Sequence, residues 1–163
     1  MKENKEIERR YILKGLPLVT YKDMYDIIQY YIWDDGIIKR LRKQYDARFR
    51  SRGDKPVIEY LYKTEVGNGQ FIEHVEDATN LDIDGLIEKS FKRISKTRYV
   101  HHYEGLKFEI DIIDGVHLVI LEVELSDIDE IITFPEEISS MIIAEVTGVK
   151  GFSNFALATR NKN

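Results

Sequence analysis

The sequence contains no cysteine. That single absence excludes disulfides, thiolate nucleophiles and zinc–thiolate sites together. Long apolar runs are missing as well. Nothing approaches the roughly 18–20 residues that a membrane-spanning helix needs. An excess of positive charge is also lacking: 24 Lys plus Arg stand against 29 Asp plus Glu, a net charge of -5. That balance speaks against a chain whose main task is coating nucleic acid, though a local basic site is compatible with it. No low-complexity tract, linker or internal repeat interrupts the chain. The opening Met1-Lys2-Glu3-Asn4-Lys5-Glu6 passes quickly into patterned sequence, so no secretory signal is expected. What remains is 163 residues, 43% hydrophobic and 33% charged. That is enough for one domain with a core, too short for two, and too apolar for disorder. A soluble, cytoplasmic, single domain over residues 1–163 is the expectation.

Short segments alternating with period two predict strands, and turn signals separate them. The alternation marks residues 6–13, 27–33, 37–44, 57–63, 70–75, 91–101, 106–114 and 117–125. Asp34-Asp35-Gly36, Gly67-Asn68-Gly69 and Glu104-Gly105 read as hairpin turns, so the strands are mostly antiparallel. Helices are predicted over 82–89 with Asp82 as cap, over 127–132 with Ser126 as cap, and over 135–143 with Pro135 in the first turn. A helical stretch over 23–28 is a further expectation. The fold class is mainly β, with some α: an eight-stranded antiparallel closed barrel, because closure removes exposed edges. A few helices would pack outside it.

Strand parity sorts the charges. Glu6, Glu8 and Arg10 share a face, as do Glu109 and Asp111, Glu122 and Glu124, Arg40 and Arg42, and Lys96 and Arg98. Lys63 closes its strand. Any one of these pairs alone is most simply the solvated face of a one-sided sheet. The set is different. If the sheet closes with its apolar face outward, acids and bases together line a tunnel. Such an interior needs ligands or ions, because unpaired buried charge is very costly. Clustered carboxylates suit a hard divalent cation. Converging Arg and Lys suit a polyphosphate.

At this point the sequence resembles a known family. Glu6-Ile7-Glu8-Arg9-Arg10 is similar to the Glu-x-Glu-x-Lys signature of the CYTH, or triphosphate tunnel metalloenzyme, superfamily. Arg40-Leu41-Arg42, Lys63, Lys96-Thr97-Arg98-Tyr99, Phe108-Glu109-Ile110-Asp111 and Leu121-Glu122-Val123-Glu124 follow in the family's order. Glu145-Val146-Thr147-Gly148, Phe152-Ser153-Asn154 and Leu157-Ala158 resemble its C-terminal signature. The likeness runs over nearly the whole chain.

The resemblance implies an eight-stranded tunnel, dependence on Mg2+ or Mn2+, and chemistry on triphosphate groups. Small bacterial-type members of this size are often inorganic triphosphatases. By matching positions, Arg10, Arg40, Arg42, Lys63, Lys96 and Arg98 would bind substrate phosphates. Glu6, Glu8, Glu122 and Glu124 would hold metal, with Glu73, Glu109 and Asp111 as additional acids. Glu122, Glu124 and Lys96 would serve catalysis. Tyr31, in Gln29-Tyr30-Tyr31-Ile32, would stand near the tunnel mouth. Departures are visible too. The signature Lys is Arg10, the strand-five acids reduce to Glu73, and Phe152 replaces the usual Tyr before Ser-Asn.

Inorganic triphosphate is the favoured substrate. Nucleoside triphosphate and an RNA 5′-triphosphate end stay open, the latter being the one expected route to nucleic acid. A CYTH-type adenylate cyclase and a non-catalytic nucleotide- or polyphosphate-binding module are the alternatives, and a homodimer is left open. His101 and His102 are adjacent in a strand and face opposite ways, so they do not form a metal pair. Gly67-x-Gly69 lacks the Lys-Ser/Thr of a nucleotide loop and is a hairpin turn. Thr97 faces away from Lys96 and Arg98.

Overall fold

The computed structural model describes residues 1–48 and 55–160. Each period-two segment forms a strand: β1 (Lys2–Leu13), β2 (Asp23–Asp34), β3 (Ile37–Asp46), β4 (Val57–Gly67), β5 (Gln70–Glu76), β6 (Lys92–Tyr103), β7 (Leu106–Ile113) and β8 (Val119–Leu125). They pair in the order β6-β2-β3-β4-β5-β1-β8-β7, and β6 pairs back onto β7. Every ladder is antiparallel. The result is an eight-stranded closed barrel, as the hairpin succession predicts. At Asp35-Gly36 both residues have positive φ, 55° and 76°. That is the geometry of a two-residue hairpin turn whose twist matches its strands.

The apolar faces point outward and need cover. Tyr11, Phe108, Ile110, Leu121 and Val123 form one outer cluster, packed against Ile132, Phe134, Ile138 and Met141. Tyr30, Ile32, Leu41 and Tyr60 form another, packed against Leu86 and Ile87 of α1 (Ile83–Lys89). Asp82 caps that helix by accepting from Gly85 N, as expected. Each such Ile, Leu or Val, taken from water to full burial, is worth about 1.5–3 kcal/mol. A third cluster gathers Ile12, Tyr31, Ile94, Ile113 and Ile120 from five strands against Phe152, Phe155 and Ala158 of the C-terminal segment.

Three helix expectations are corrected. Residues 23–28 are not helical but begin β2, paired on both edges by β3 and β6. Residues 127–132 form no helix. Asp127 instead accepts from Asp129 N at 2.8 Å, and Ser126 N and Oγ both donate to Glu130. These local bonds give the backbone an alternative to helix. The third prediction, 135–143, shrinks to α2 (Glu136–Ser139), after which β9 (Ile142–Glu145) pairs with β1. The reason lies in β1. Its partner β5 ends opposite Ile7, leaving the same edge unpaired further on. β9 takes the stretch opposite Tyr11–Leu13, and Val146 N donates to Arg10 O at 2.8 Å. The short α3 (Asn154–Leu157) and β10 (Thr159–Arg160), paired to β6, complete the described chain. Among the described residues, no helix is long and apolar enough to cross a membrane.

Candidate active site

The barrel encloses a cavity of about 1080 Å3. Its wall carries Glu6, Glu8 and Arg10 from β1, Arg40 and Arg42 from β3, Lys63 from β4, and Glu73 from β5. Arg98 of β6, Glu109 of β7, and Glu122 and Glu124 of β8 complete that set. Strand parity places them there, because each pair lies two residues apart. Residues far apart in sequence thus face one volume.

The bases differ sharply in how they are held. Arg98 donates Nε and Nη2 to the two oxygens of Asp111 at 2.8 and 2.9 Å, and Nη1 to Glu109 at 3.0 Å. Arg10 donates Nε to Phe152 O at 2.9 Å, Nη2 to Asn154 Oδ1 at 3.1 Å, and Nη1 to Glu122. Lys63 Nζ donates to Glu6 Oε1 at 2.8 Å, with Glu73 at 3.7 Å. Arg40 and Arg42 share a single carboxylate, Glu59.

Lys96 and Asp111 do not line the cavity. They share the inward faces of Arg98 and Glu109 but are closed off from the open volume, with Lys96 Nζ 2.9 Å from Asp111 Oδ2 and both side chains almost fully buried. The sequence reading places Lys96 on phosphate; in the structure its ammonium pairs with Asp111, next to Asn154 Oδ1 at 3.4 Å. Burial pulls Lys96 down to about 7, Asp111 opposing and Arg98 adding to the fall. Asp111 also feels burial, but Arg98 and Lys96 overcome it and hold the carboxyl below the usual range. Tyr31, expected near the tunnel mouth, lines the cavity and is otherwise buried, its ring stacked on Phe155 at 5.1 Å. Burial pushes its phenol up to about 12.

The acids differ too. Glu6 is destabilised by burial, but Lys63 and Arg40 outweigh that and its pKa is lowered. Glu8 is raised, by burial and by Glu6, against the pull of Lys63. Glu124 is raised by burial, then Glu6 and Glu109. Glu73 is raised by burial and by Glu6. Glu8 and Glu124 lie directly opposite one another across the β1–β8 ladder. Like charges in that arrangement repel.

No family model and no curated protein matches this sequence. Solved structures do. A crystal structure of the hypothetical protein NE1496 is 26% identical with a TM-score of 0.54, covering 94% of this chain and 97% of that one. A structure of the inorganic triphosphatase NE1496 is 24% identical with a TM-score of 0.55, covering 94% and 93%. A conserved hypothetical protein from Pyrococcus furiosus is 16% identical with a TM-score of 0.51, covering 83% and 84%. These likenesses in fold coincide with the ordered series of charged motifs on the inner wall. The chain shares the fold of these structures, the tunnel that its resemblance to the CYTH superfamily leads one to expect.

A divalent metal is the group that the resemblance to the CYTH superfamily implies. Among the described residues no three His, Cys, Asp or Glu are gathered into a ready coordination set. The donor chemistry nevertheless fits. Glu8 and Glu124 are hard oxygen donors in the cavity wall, they form no ion pair among the described residues, and their charged forms are disfavoured. A cation there would relieve that cost.

Among the wall residues that escaped the sequence reading, three stand against its charged groups. Glu59 shares the parity of Lys63 on β4, and carrying that alternation back four residues would have found it. Gln29 and Asn154 occur in family-like motifs, but no role was attached to them. Gln29 Oε1 is buried without a hydrogen-bond partner, beside Arg42 in register. Asn154 bridges Arg10 and Lys96. His101 and His102 face opposite ways as expected: His101 Nδ1 meets Thr20 O at 2.6 Å, and His102 lines the cavity.

Proposed function

We propose that this protein hydrolyses a phosphoanhydride bond of a triphosphate, inorganic triphosphate above others, with Mg2+ or Mn2+. The observation that carries the reading is one wall holding both halves of the chemistry. Among the described residues, Arg40 and Arg42 carry guanidinium donors left without acceptors, and Glu8 and Glu124 are carboxylates that form no ion pair. A metal–triphosphate complex supplies both missing partners at once. The likeness in fold to an inorganic triphosphatase is in keeping with this.

Arg40, Arg42 and Lys63 grip non-bridging phosphate oxygens and align the chain of phosphates. Arg10 and Arg98 face the same volume, but their donors are held by Glu122, Asn154, Glu109 and Asp111, so they act as fixed positive charge. Glu8 and Glu124 would hold the metal, with Glu6 and Glu122 beside them. When bound, the metal would offset charge on the phosphates and lower the cost of attack by water. The wall has no Cys and needs no covalent intermediate.

The test is a phosphate-release screen across inorganic triphosphate, nucleoside triphosphates and RNA 5′-triphosphate ends. Release from inorganic triphosphate should vanish in chelator and return with Mn2+ or Mg2+. Full activity in excess chelator would reject the metal. Cyclic AMP from ATP would indicate a cyclase, and tight triphosphate binding without release would indicate a binding module.

A further inference from the structure

Two guanidiniums share one carboxylate oxygen where β3 and β4 meet. Arg40 Nη2 donates to Glu59 Oε1 at 2.7 Å, and Arg42 Nη2 lies 3.2 Å from the same oxygen. The Nε of each arginine is buried with no hydrogen-bond partner among the described residues. Arg42 and Glu59 are direct partners across the ladder, and all three side chains line the cavity. Elsewhere in the wall the bases are satisfied: Arg98 has two carboxylates and Arg10 three acceptors. Here a single negative charge serves two positive ones, and two donors stay unused. Crowding leaves its mark: burial and the neighbouring Arg40 bring Arg42 down to about 10.

We infer that Glu59 is a resident counter-anion, which holds Arg40 and Arg42 in the empty protein and is displaced when a phosphate group enters. The inference rests on the proposed reading that these arginines grip phosphate. Its consequence is selectivity. A phosphate must compete with a carboxylate already in place and must approach a like charge. A single phosphate carries little charge and few oxygens, so it competes poorly. A triphosphate brings several oxygens and further contacts at Lys63, so it displaces Glu59 more readily. Glu59 thus sets a threshold that favours the polyanionic substrate over its monophosphate product. It is a specificity-determining residue that touches the arginines directly.

The experiment measures binding in chelator by calorimetry. Inorganic triphosphate and orthophosphate are titrated into the wild type, Glu59→Gln and Arg40→Gln. Glu59→Gln should bind triphosphate several-fold tighter, about threefold to tenfold for one removed like charge. Orthophosphate should bind tighter as well, because it no longer has to displace the carboxylate. The unliganded variant should melt lower than wild type, because the arginines lose their one acid. A purely structural Glu59 would give a lower melting temperature and weaker binding, so the sign of the affinity change decides. Arg40→Gln should weaken triphosphate binding by about tenfold or more. If Arg40→Gln loses affinity while Glu59→Gln gains none, the counter-anion is overturned and the phosphate reading stands. If Arg40→Gln binds like the wild type, the phosphate reading itself fails. Should Glu59→Gln fold poorly, Glu59→Asp, whose shorter arm draws back from Arg40, should shift both affinities in the same direction. Wild-type or weaker affinity in that variant would overturn the inference.

Discussion

Asp111 is the acid on which the basic wall leans. It accepts from Arg98 through both oxygens and from Lys96 through one. Removing its charge would strand two buried cations, a loss of roughly 3–5 kcal/mol. Asp111→Asn should therefore be among the most destabilising single changes in the barrel, read by urea unfolding at neutral pH. The pH dependence follows from the direction of the shift. Its folded pKa lies below the unfolded one, so its stabilisation is present above the ordinary carboxylate range and is lost as pH falls through that range and below. Lys96 works in the other direction. Its folded pKa of about 7 lies below the unfolded value, so between them the unfolded chain binds more protons. Stability should rise as pH rises from about 7 toward the ordinary lysine range. Lys96→Met should flatten that rise in a series of melting curves. An unchanged slope would show that Lys96 stays charged when folded.

The C-terminal element shows how little local propensity is needed once tertiary contacts exist. α3 has four residues, far fewer than an isolated helix needs. Its cap is Ser153, which accepts from Ala156 N at 3.1 Å. What holds it is the barrel. Phe155 stacks on Tyr31, Lys92 lies 4.1 Å over the Phe155 ring and donates to its carbonyl at 2.7 Å, and Asn154 accepts from Arg10. Asn154→Ala should cost about 1.5–3 kcal/mol, the range for a hydrogen bond to a charged group. Amide exchange should speed up over residues 150–158 more than in β1. Equal protection in variant and wild type would show that Asn154 does not fasten the segment. A tight approach supports the same corner: a Cβ on Gly69, whose φ is 72°, would run into Glu8 O and the Thr147 methyl. Gly69→Ala should displace β1 at Glu8 and weaken Mn2+ binding, read by titration of Mn2+ against the protein.

At the scale of the whole barrel, closure decides the electrostatics. It brings Glu6 close enough to raise the cost of ionising Glu8, and Glu6 with Glu109 that of Glu124, beyond what burial does, although β1 is distant in sequence from β7 and β8. Metal and proton then compete for the same oxygens. Mn2+ affinity should fall as pH is lowered, and the fall should begin above the ordinary carboxylate range, since Glu8 and Glu124 are both raised. Electron paramagnetic resonance of free Mn2+ across a pH series checks this without any turnover. Glu8→Gln and Glu124→Gln should each weaken binding at neutral pH. A variant with wild-type affinity would remove that residue from the metal site.

The sequence by itself determined the eight strands, their mostly antiparallel succession and the inward charged faces. These are local matters: a period of two and a hairpin turn are written in neighbouring residues, and parity fixes which side chains share a face. It also named eleven of the charged residues that line the cavity, from Glu6 to Glu124. Only the tertiary structure decided which charges are free. Arg10 meets Glu122, Phe152 and Asn154 from the far end of the chain, and its guanidinium is thereby occupied. Lys96 and Asp111, on the predicted face, are buried and pair with each other rather than facing the open volume. The stretch expected to be a longer helix became β9 because β1 had an open edge that no local signal reveals. Ion pairing and edge satisfaction depend on register between strands far apart in sequence. Barrel closure sets that register, and no single segment contains it.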